Sequence, residues 1–170
     1  MEEQEFKPIA MVGTLPASDT SEIRFYVDEF KGYPYAAIRT FVKRENYAGP
    51  TKAGVTFNVE SLEKVLAALA ALPPEPQTIQ DQELARVPRK AGVELVARVT
   101  IYKDSTGIDL REWVDEETYK GWSKKGVRLP YGDLPKIVAY LKEMLVLLKD
   151  RPKPVKAPPS RAPKSSPEES

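Results

Sequence analysis

The chain has 170 residues and a formal net charge of +1, so any surface that binds anions must gather its cations onto one face. Cysteine and histidine are absent, which excludes disulfides, thiolate or imidazole metal sites, and Ser-His or Cys-His catalysis. The acidic start MEEQEFK and the lack of a long apolar run predict a soluble intracellular protein without a membrane partner. We expect it in the cytoplasm or nucleoid of a bacterium, or in the nucleus of a eukaryote.

The first half of the chain has the pattern of several strands followed by one helix. Residues 1–21 form an N-terminal segment that could hold one short strand. In residues 22–72, the stretches EIRFYVDEF, YAAIRTFVKRE and AGVTF alternate between apolar and other residues, as half-buried strands do. Asn58 then has the character of an N-cap, and the apolar stripe of the helix that follows ends at Pro73. This half therefore predicts one sheet-and-helix unit.

The second half has the same pattern after a linking segment. Residues 73–91 are rich in proline and polar residues and predict a connector, in which the stretch ELARV could form a short extra strand. Residues 92–149 predict a second sheet followed by a longer helix, whose surplus apolar residues favour contact between helices. Residues 150–170 are rich in proline, lysine and serine and have nothing to bury, so we expect a disordered tail.

The two halves are copies of one unit. YAGPTKAGVTF begins at Tyr47 and YKGWSKKGVRL begins at Tyr119, and both fit the skeleton Y-x-G-x-x-K-x-G-V. When the sequence is shifted by 72 positions, without a gap, fifteen residues from Glu22 to Leu69 meet the same residue type between Glu94 and Leu141. Average composition would give only about three such coincidences over about fifty positions. The predicted fold class is therefore α+β: two repeats of a curved antiparallel sheet of three to four strands, each followed by one helix, packed as an intrachain pseudo-dimer.

Cations and aromatic rings recur on the sheet face that the helices leave uncovered. Lysine and arginine neutralise phosphates while flat rings stack on bases, so such a face suits single-stranded nucleic acid. The alternative is an ordinary solvated face, on which arginines pair with neighbouring carboxylates such as Asp109 and Glu112. The candidate residues on this face are Arg24, Tyr26, Phe30, Arg39, Phe41, Lys43 and Lys52 in the first repeat, and Arg98, Tyr102, Arg111, Trp113, Lys124 and Arg128 in the second.

The duplicated loop adds further candidates. Its glycines permit close approach of the backbone beside Lys52, Lys124 and Lys125, an arrangement that suits a phosphate group. The same glycines could instead only shape a hairpin. Trp122 lies in the second copy of the loop and completes the set of candidate rings.

The segments FKGYPYAAIRTFV…YAGPTKAGVTF and YKDSTGIDLREWV…YKGWSKKGVRLP resemble the positive cofactor four family of transcriptional coactivators. That family has an aromatic-Lys-Gly strand end, an I-R-E-Y/W strand, a P-x-K-K-G-I/V loop and a final helix. The resemblance covers both repeats, about two thirds of the chain, and is closer in the second. It implies a fused version of a dimer that binds single-stranded DNA along its sheets. Whirly and Pur-alpha proteins share the same general plan.

The resemblance also implies which residues contact DNA. The matching positions are Phe30, Lys31, Arg39 and Lys52 in the first repeat, and Tyr102, Lys103, Arg111, Lys124 and Lys125 in the second. Departures from the family pattern include Val42 and Val114 in place of a second strand ring, Ala53 in place of a loop lysine, Thr40 in place of an acidic residue, and Asp104 in place of glycine. These departures predict unequal affinity in the two repeats.

The sequence therefore predicts a non-enzymatic protein, without cofactor or metal, that binds single-stranded DNA with little sequence preference in transcription or DNA maintenance. Single-stranded RNA is the alternative ligand. A protein-interaction module of the transcription machinery is the alternative function, with transcription proteins as partners. The chain would act as a monomeric pseudo-dimer or as a homodimer.

Overall fold

The computed structural model describes residues 6–77 and 80–150. The tail expected from residue 150 onward lies outside the described residues, apart from its first residue. Two four-stranded antiparallel sheets are present, with strand orders β1-β2-β3-β4 and β5-β6-β7-β8, and a helix follows each sheet in sequence. The α+β fold of two sheet-and-helix repeats is thereby confirmed. The elements are β1 (Ala10–Ser18), β2 (Ser21–Phe30), β3 (Tyr33–Lys43), β4 (Ala48–Phe57), α1 (Val59–Ala70), β5 (Gln82–Lys90), β6 (Val93–Tyr102), β7 (Ser105–Glu116), β8 (Tyr119–Pro130), a 3-10 turn (Tyr131–Asp133) and α2 (Leu134–Asp150).

Each sheet begins with an edge strand that makes the repeat longer than the sequence suggested. β1 runs for nine residues inside the N-terminal segment, where one short strand was expected. β5 also has nine residues and lies inside the segment 73–91, so the prediction of a connector over that whole range needs correction. Pro16 and Pro88 occupy equivalent positions in these strands, opposite Glu22 and Glu94. Proline cannot donate a ladder hydrogen bond and is tolerated at a sheet edge, which obscured both strands in the sequence.

Tight two-residue turns join the two long central strands of each sheet. Lys31 and Gly32 have φ angles of 53° and 84°, and Lys103 and Asp104 have φ angles of 51° and 64°. Positive φ at both central positions is the requirement of the type I′ hairpin turn, which follows the right-handed twist of the strands. Asp104 satisfies it in place of the glycine that the family pattern has, since aspartate tolerates this region better than most residues.

The helices cross between the repeats. α1 begins with a capping box, in which Asn58 Oδ1 accepts from the Ser61 amide at 2.9 Å and Ser61 Oγ accepts from the Asn58 amide at 3.0 Å. The expected N-cap at Asn58 is thereby confirmed. α2, from the second repeat, packs against β1, β2 and β3 of the first sheet, and α1 contacts β5 of the second sheet as well as α2.

The exchange of helices produces one hydrophobic core shared by both repeats. The Tyr140 ring on α2 lies 4.9 Å from the ring of Phe25 in β2, measured between centroids. The Tyr131 hydroxyl donates to the carbonyl of Pro73 at 2.6 Å, and burial raises the pKa of that hydroxyl. Strands β4 and β8 also contact each other. Because the inner faces of both sheets and both helices enter a single cluster, the pseudo-dimer is one folding body.

In the part of the chain that the structure describes, neither helix is long and apolar enough to cross a membrane. Within the same residues, no cluster of three or more carboxylates is placed to hold a metal ion.

Candidate nucleic-acid interface

The duplicated skeleton, expected as a loop, lies almost entirely inside β4 and β8, where it forms an irregular stretch opposite β3 and β7 and builds the same geometry twice. The name loop is kept for these two stretches. The Tyr47 hydroxyl donates to the carbonyl of Pro50 at 2.6 Å, and the Tyr119 hydroxyl donates to the carbonyl of Trp122 at 2.7 Å. Gly49 has a φ of 152° in the first copy, and its counterpart has a φ of 153°. L side chains rarely adopt this backbone conformation, so both positions need glycine. The tyrosine and the first glycine of the skeleton therefore fix the loop.

The second glycine of the skeleton leaves room for an arginine. Arg39 lies opposite Gly54, and Arg111 lies opposite Gly126, in the neighbouring strand. The two guanidinium groups donate to the loop carbonyls of Thr51 at 3.0 Å and of Ser123 at 3.2 Å. The side chains of Arg39 and Arg111 therefore lie across their sheets, and the glycine opposite each one provides the space for it.

Replacement of Gly126 by alanine should destabilise the protein, because the new Cβ would lie 2.7 Å from Cγ of Arg111. This atom is close to the backbone and cannot move away cheaply, so we expect a loss of about 1 to 3 kcal/mol in the free energy of unfolding. Gly132→Ala is the matched control, since a Cβ there would meet nothing within 4 Å. Denaturant unfolding measures both variants, and equal midpoints would contradict the stated packing of Arg111.

The outer face of the first sheet carries a closed aromatic cluster. Tyr26 and Phe41 point away from the shared core as expected, but they are 5% and 4% exposed and do not form an open surface. The Phe6 ring covers them, at centroid distances of 4.8 Å and 4.7 Å. The Arg24 guanidinium lies over the Phe41 ring at 4.2 Å, and its Nε also pairs with a carboxylate at 2.6 Å. Phe6 was not among the sequence candidates because no strand pattern reaches it.

Burial alters the chemistry of the hydroxyls beside this cluster. It raises the pKa of Tyr35 to about 12, with smaller contributions from Tyr26 and the Asp28 carboxylate. The pKa of Tyr26 is also raised, chiefly by burial and against the effect of Arg39. Both hydroxyls therefore stay protonated near neutral pH and can act as hydrogen-bond donors.

The outer face of the second sheet has a different character. Asp109, which is 3% exposed, lies between two of the predicted cations and pairs with Arg98 at 3.0 Å and with Arg111 at 3.2 Å. The alternative of arginine pairing with carboxylates is therefore realised here, and one carboxylate offsets one of the two positive charges. The ring of Trp113 packs edge-on against Trp122 with 4.8 Å between centroids, and the Arg98 guanidinium lies 4.0 Å from the Trp122 ring. Both indoles are half-buried.

The hairpin tips of both sheets present a ring beside a lysine. Phe30 and Tyr102 are 43% and 62% exposed and end β2 and β6. The Lys31 and Lys103 ammonium groups lie 5.3 Å and 5.4 Å from the centroids of these rings. These pairs are the most accessible of the predicted aromatic positions, and the positive φ of both lysines sets their direction.

Of the remaining predicted cations, Arg128 is held by hydrogen bonds within the protein, and the others are exposed lysines. Arg128 is engaged, because its guanidinium donates to Thr100 Oγ1 and to the carbonyls of Thr100 and Ser105 at 2.9 to 3.0 Å. It acts as a brace between β8 and the β6–β7 hairpin. The exposed cations are the lysines at the end of β3 and in the two loops: Lys43, Lys52, Lys124 and Lys125.

The first repeat matches the model of a known protein family. The model of the family described as Transcriptional Coactivator p15 (PC4) matches residues 17–68, from the end of β1 into α1. This match confirms the resemblance to the positive cofactor four family over the first repeat, although the second repeat was expected to be the closer one. Among curated protein sequences, none matches this chain.

Two solved structures are similar in outline. The crystal structure of WHY3 from Arabidopsis thaliana has a TM-score of 0.45 and 7% sequence identity, and the match covers 86% of this chain and 92% of that one. The structure of the plant transcriptional regulator PBF-2 has a TM-score of 0.43 and 9% identity, over 84% of this chain and 85% of that one.

Proposed function

On the premise that its first repeat carries the domain of the positive cofactor four family of transcriptional coactivators, we propose that this chain binds single-stranded DNA with little sequence preference. The observation that carries the proposal is the duplicated arrangement of an exposed ring beside a lysine at the hairpin tip, together with exposed lysines on a loop of fixed backbone. The four positions matched to the family in the first repeat, Phe30, Lys31, Arg39 and Lys52, all lie inside the matched residues 17–68.

Each hairpin tip offers a ring that can stack on a base and an ammonium group that can bind a phosphate. An unstacked base offers its flat face to any accessible ring, and the neighbouring phosphate attracts an ammonium group. Tyr102 with Lys103, and Phe30 with Lys31, place these two groups about 5 Å apart on adjacent residues. Stacking of this kind tolerates every base, so it supports binding without sequence preference.

The loops supply fixed positive charge. Lys52 and Lys124 occupy the same place in the duplicated skeleton, and Lys125 adds a second cation in the second copy. Because the loop carbonyls are held by Arg39 and Arg111, the lysine stems begin from a rigid backbone and lose less entropy on binding. Within this skeleton the second repeat therefore has two exposed lysines where the first has one, and it is proposed as the tighter site.

The test is a titration of one labelled oligonucleotide as a single strand and as a blunt duplex, followed by fluorescence anisotropy. We expect tighter binding of the single strand, and a slope of log K against log salt of roughly −3 to −4 if about four to six phosphates are neutralised. Equal affinity for strand and duplex would refute the proposal, and a flat salt response would favour the protein-interaction module. The RNA strand of the same sequence, titrated in parallel, decides between the two nucleic acids.

A variant without the loop lysines tests whether the loops contact phosphates. In a Lys52→Ala, Lys124→Ala, Lys125→Ala variant, up to three phosphate contacts are lost, so the salt slope should become shallower by about 2. The matched control is Lys136→Ala with Lys142→Ala, which removes exposed lysines from α2, in the helical layer behind the sheets. An unchanged slope in the loop variant would exclude the loops from the phosphate path.

A further inference from the structure

The Phe6 side chain packs on the first sheet, although the residue itself lies outside the strands. It precedes β1, which begins at Ala10, and its ring lies on the outer face of the sheet against Tyr26 and Phe41. The contact with Tyr26 is edge-on at 82°, and the contact with Phe41 is tilted at 59°. The Arg24 guanidinium lies 5.2 Å from the Phe6 ring.

The place that Phe6 fills has the features of a base-stacking site. Two rings and an arginine surround it, and these are the groups that hold an unstacked base in single-strand-binding proteins. Tyr35 is the other partly buried residue that packs against this cluster, and the rings of Tyr26 and Phe41 lie 6.1 Å apart between centroids. Phe41 is 4% exposed, so a base cannot stack on this ring while Phe6 and the Arg24 guanidinium, 4.2 Å from its centroid, both cover it.

In the repeat register, the sequence of the second repeat has no aromatic residue at the position of Phe6. The residue equivalent to Phe6, 72 positions later, is Thr78, which has no ring. The ring beside Trp113 is instead Trp122, which belongs to the sheet itself and corresponds to Pro50 in the first repeat. An aromatic residue at this position is therefore present in the first repeat alone and does not belong to the pattern that both copies share.

We infer that Phe6 is an intramolecular competitor for a base at this site, so that the first sheet accepts a single strand fully only when the N-terminal segment leaves. The inference rests on the proposed function, since it assigns a regulator to one of the two proposed sheets. The apparent affinity of a covered site is the intrinsic affinity multiplied by the fraction of molecules in which the cover is off. Any partner or truncation that holds the segment away would activate the first sheet.

The experiment compares the parent chain with Phe6→Ala and with a deletion of residues 1–7, in an anisotropy titration of a labelled oligothymidine. The second site is weakened in all three by Lys124→Ala and Lys125→Ala. Loss of the aromatic contacts of Phe6 should lower the dissociation constant about three- to tenfold, which corresponds to about 0.7 to 1.4 kcal/mol. Both Phe6 variants should show this gain, and Phe6→Tyr, which keeps the ring, should show none.

The melting temperature separates this role from simple packing. If Phe6 competes with a base, Phe6→Ala should lower the melting temperature and tighten the binding of oligothymidine. If Phe6 only packs on the sheet, Phe6→Ala should lower the melting temperature and leave that binding equal or weaker. The second result would overturn the inference and leave the proposed function standing. Absence of oligothymidine binding by the parent chain and by every variant would instead refute the proposed function itself.

An emission shift provides a readout that does not depend on affinity. Phe6→Trp in a Trp113→Phe, Trp122→Phe background places the sole indole of the chain at the cover, since these are its two tryptophans. Addition of oligothymidine should displace the introduced indole into water and move its emission to longer wavelength. Binding without any shift would show that the strand does not use the site beneath Phe6.

Discussion

Residues 1–75 expressed alone should give no folded monomer. In the whole protein the inner face of the first sheet is covered by α2, which belongs to the second repeat, and Tyr140 packs on Phe25. Without α2 the apolar side chains of β2 and β3 would face water, a loss that a unit of this size cannot offset. We expect a chain without a cooperative thermal transition, measured by circular dichroism and by sedimentation at low micromolar concentration.

The control for this prediction adds the second repeat to the first as a separate fragment. An equimolar mixture with residues 80–150 should restore a cooperative transition and a heterodimer of the two fragments, because the shared core needs no covalent link between them. A homodimer of residues 1–75 that exchanges α1 between copies is consistent with the fold, since α1 would then cover the partner's sheet. A folded monomer of residues 1–75 would contradict the crossed arrangement of helices.

Removal of both hairpin-tip rings should cause the largest loss of affinity without unfolding. Phe30→Ala with Tyr102→Ala deletes the two most accessible candidate rings, and each stacked ring contributes about 1 to 3 kcal/mol, so single-strand affinity should fall by about 30-fold or more if the two add. The melting temperature should change little, because these side chains are 43% and 62% exposed. Fluorescence anisotropy with a labelled single strand measures the first effect, and a thermal scan measures the second.

The matched control is Val146→Ala, which truncates another exposed apolar side chain, 57% exposed, on the helical layer. It should leave single-strand affinity unchanged. If the double ring variant kept full affinity while folded, the tips would not be stacking sites, and the site would have to lie over Trp113 and Trp122. If Val146→Ala lowered affinity as much as the ring variant, the loss would not report on stacking.

The placement of many candidate residues could be predicted from the sequence, because these residues lie within single strands or single turns. The alternation in EIRFYVDEF places Arg24 and Tyr26 on one face and Phe25 on the other, and the structure has this arrangement. The edge strands were harder to predict, although Pro16 and Pro88 stand in the same repeat register and could have shown that the unit begins earlier. A search for repeats beyond Glu22 would have found this signal.

Pairing across strands was predicted only as an alternative. Asp109 was named as a partner for arginine, but its position between Arg98 and Arg111 depends on the register of β6, β7 and β8. A one-residue shift of register would have placed the carboxylate on the opposite face. The bracing role of Arg128 depends on the same register and on the fold of the β6–β7 hairpin.

The sequence by itself determined the duplication, the order of strands and helix within each unit, and the loop skeleton, because these follow from periodicity and from glycine, proline and capping residues that act over a few positions. The small size of each repeat also predicted that the two pack together. Only the tertiary structure decided that α2 covers the first sheet and that Phe6 closes the ring cluster of Tyr26 and Phe41. These outcomes join residues far apart in the chain, and they depend on which apolar surfaces best exclude water together, a property of the assembled body that no local pattern encodes.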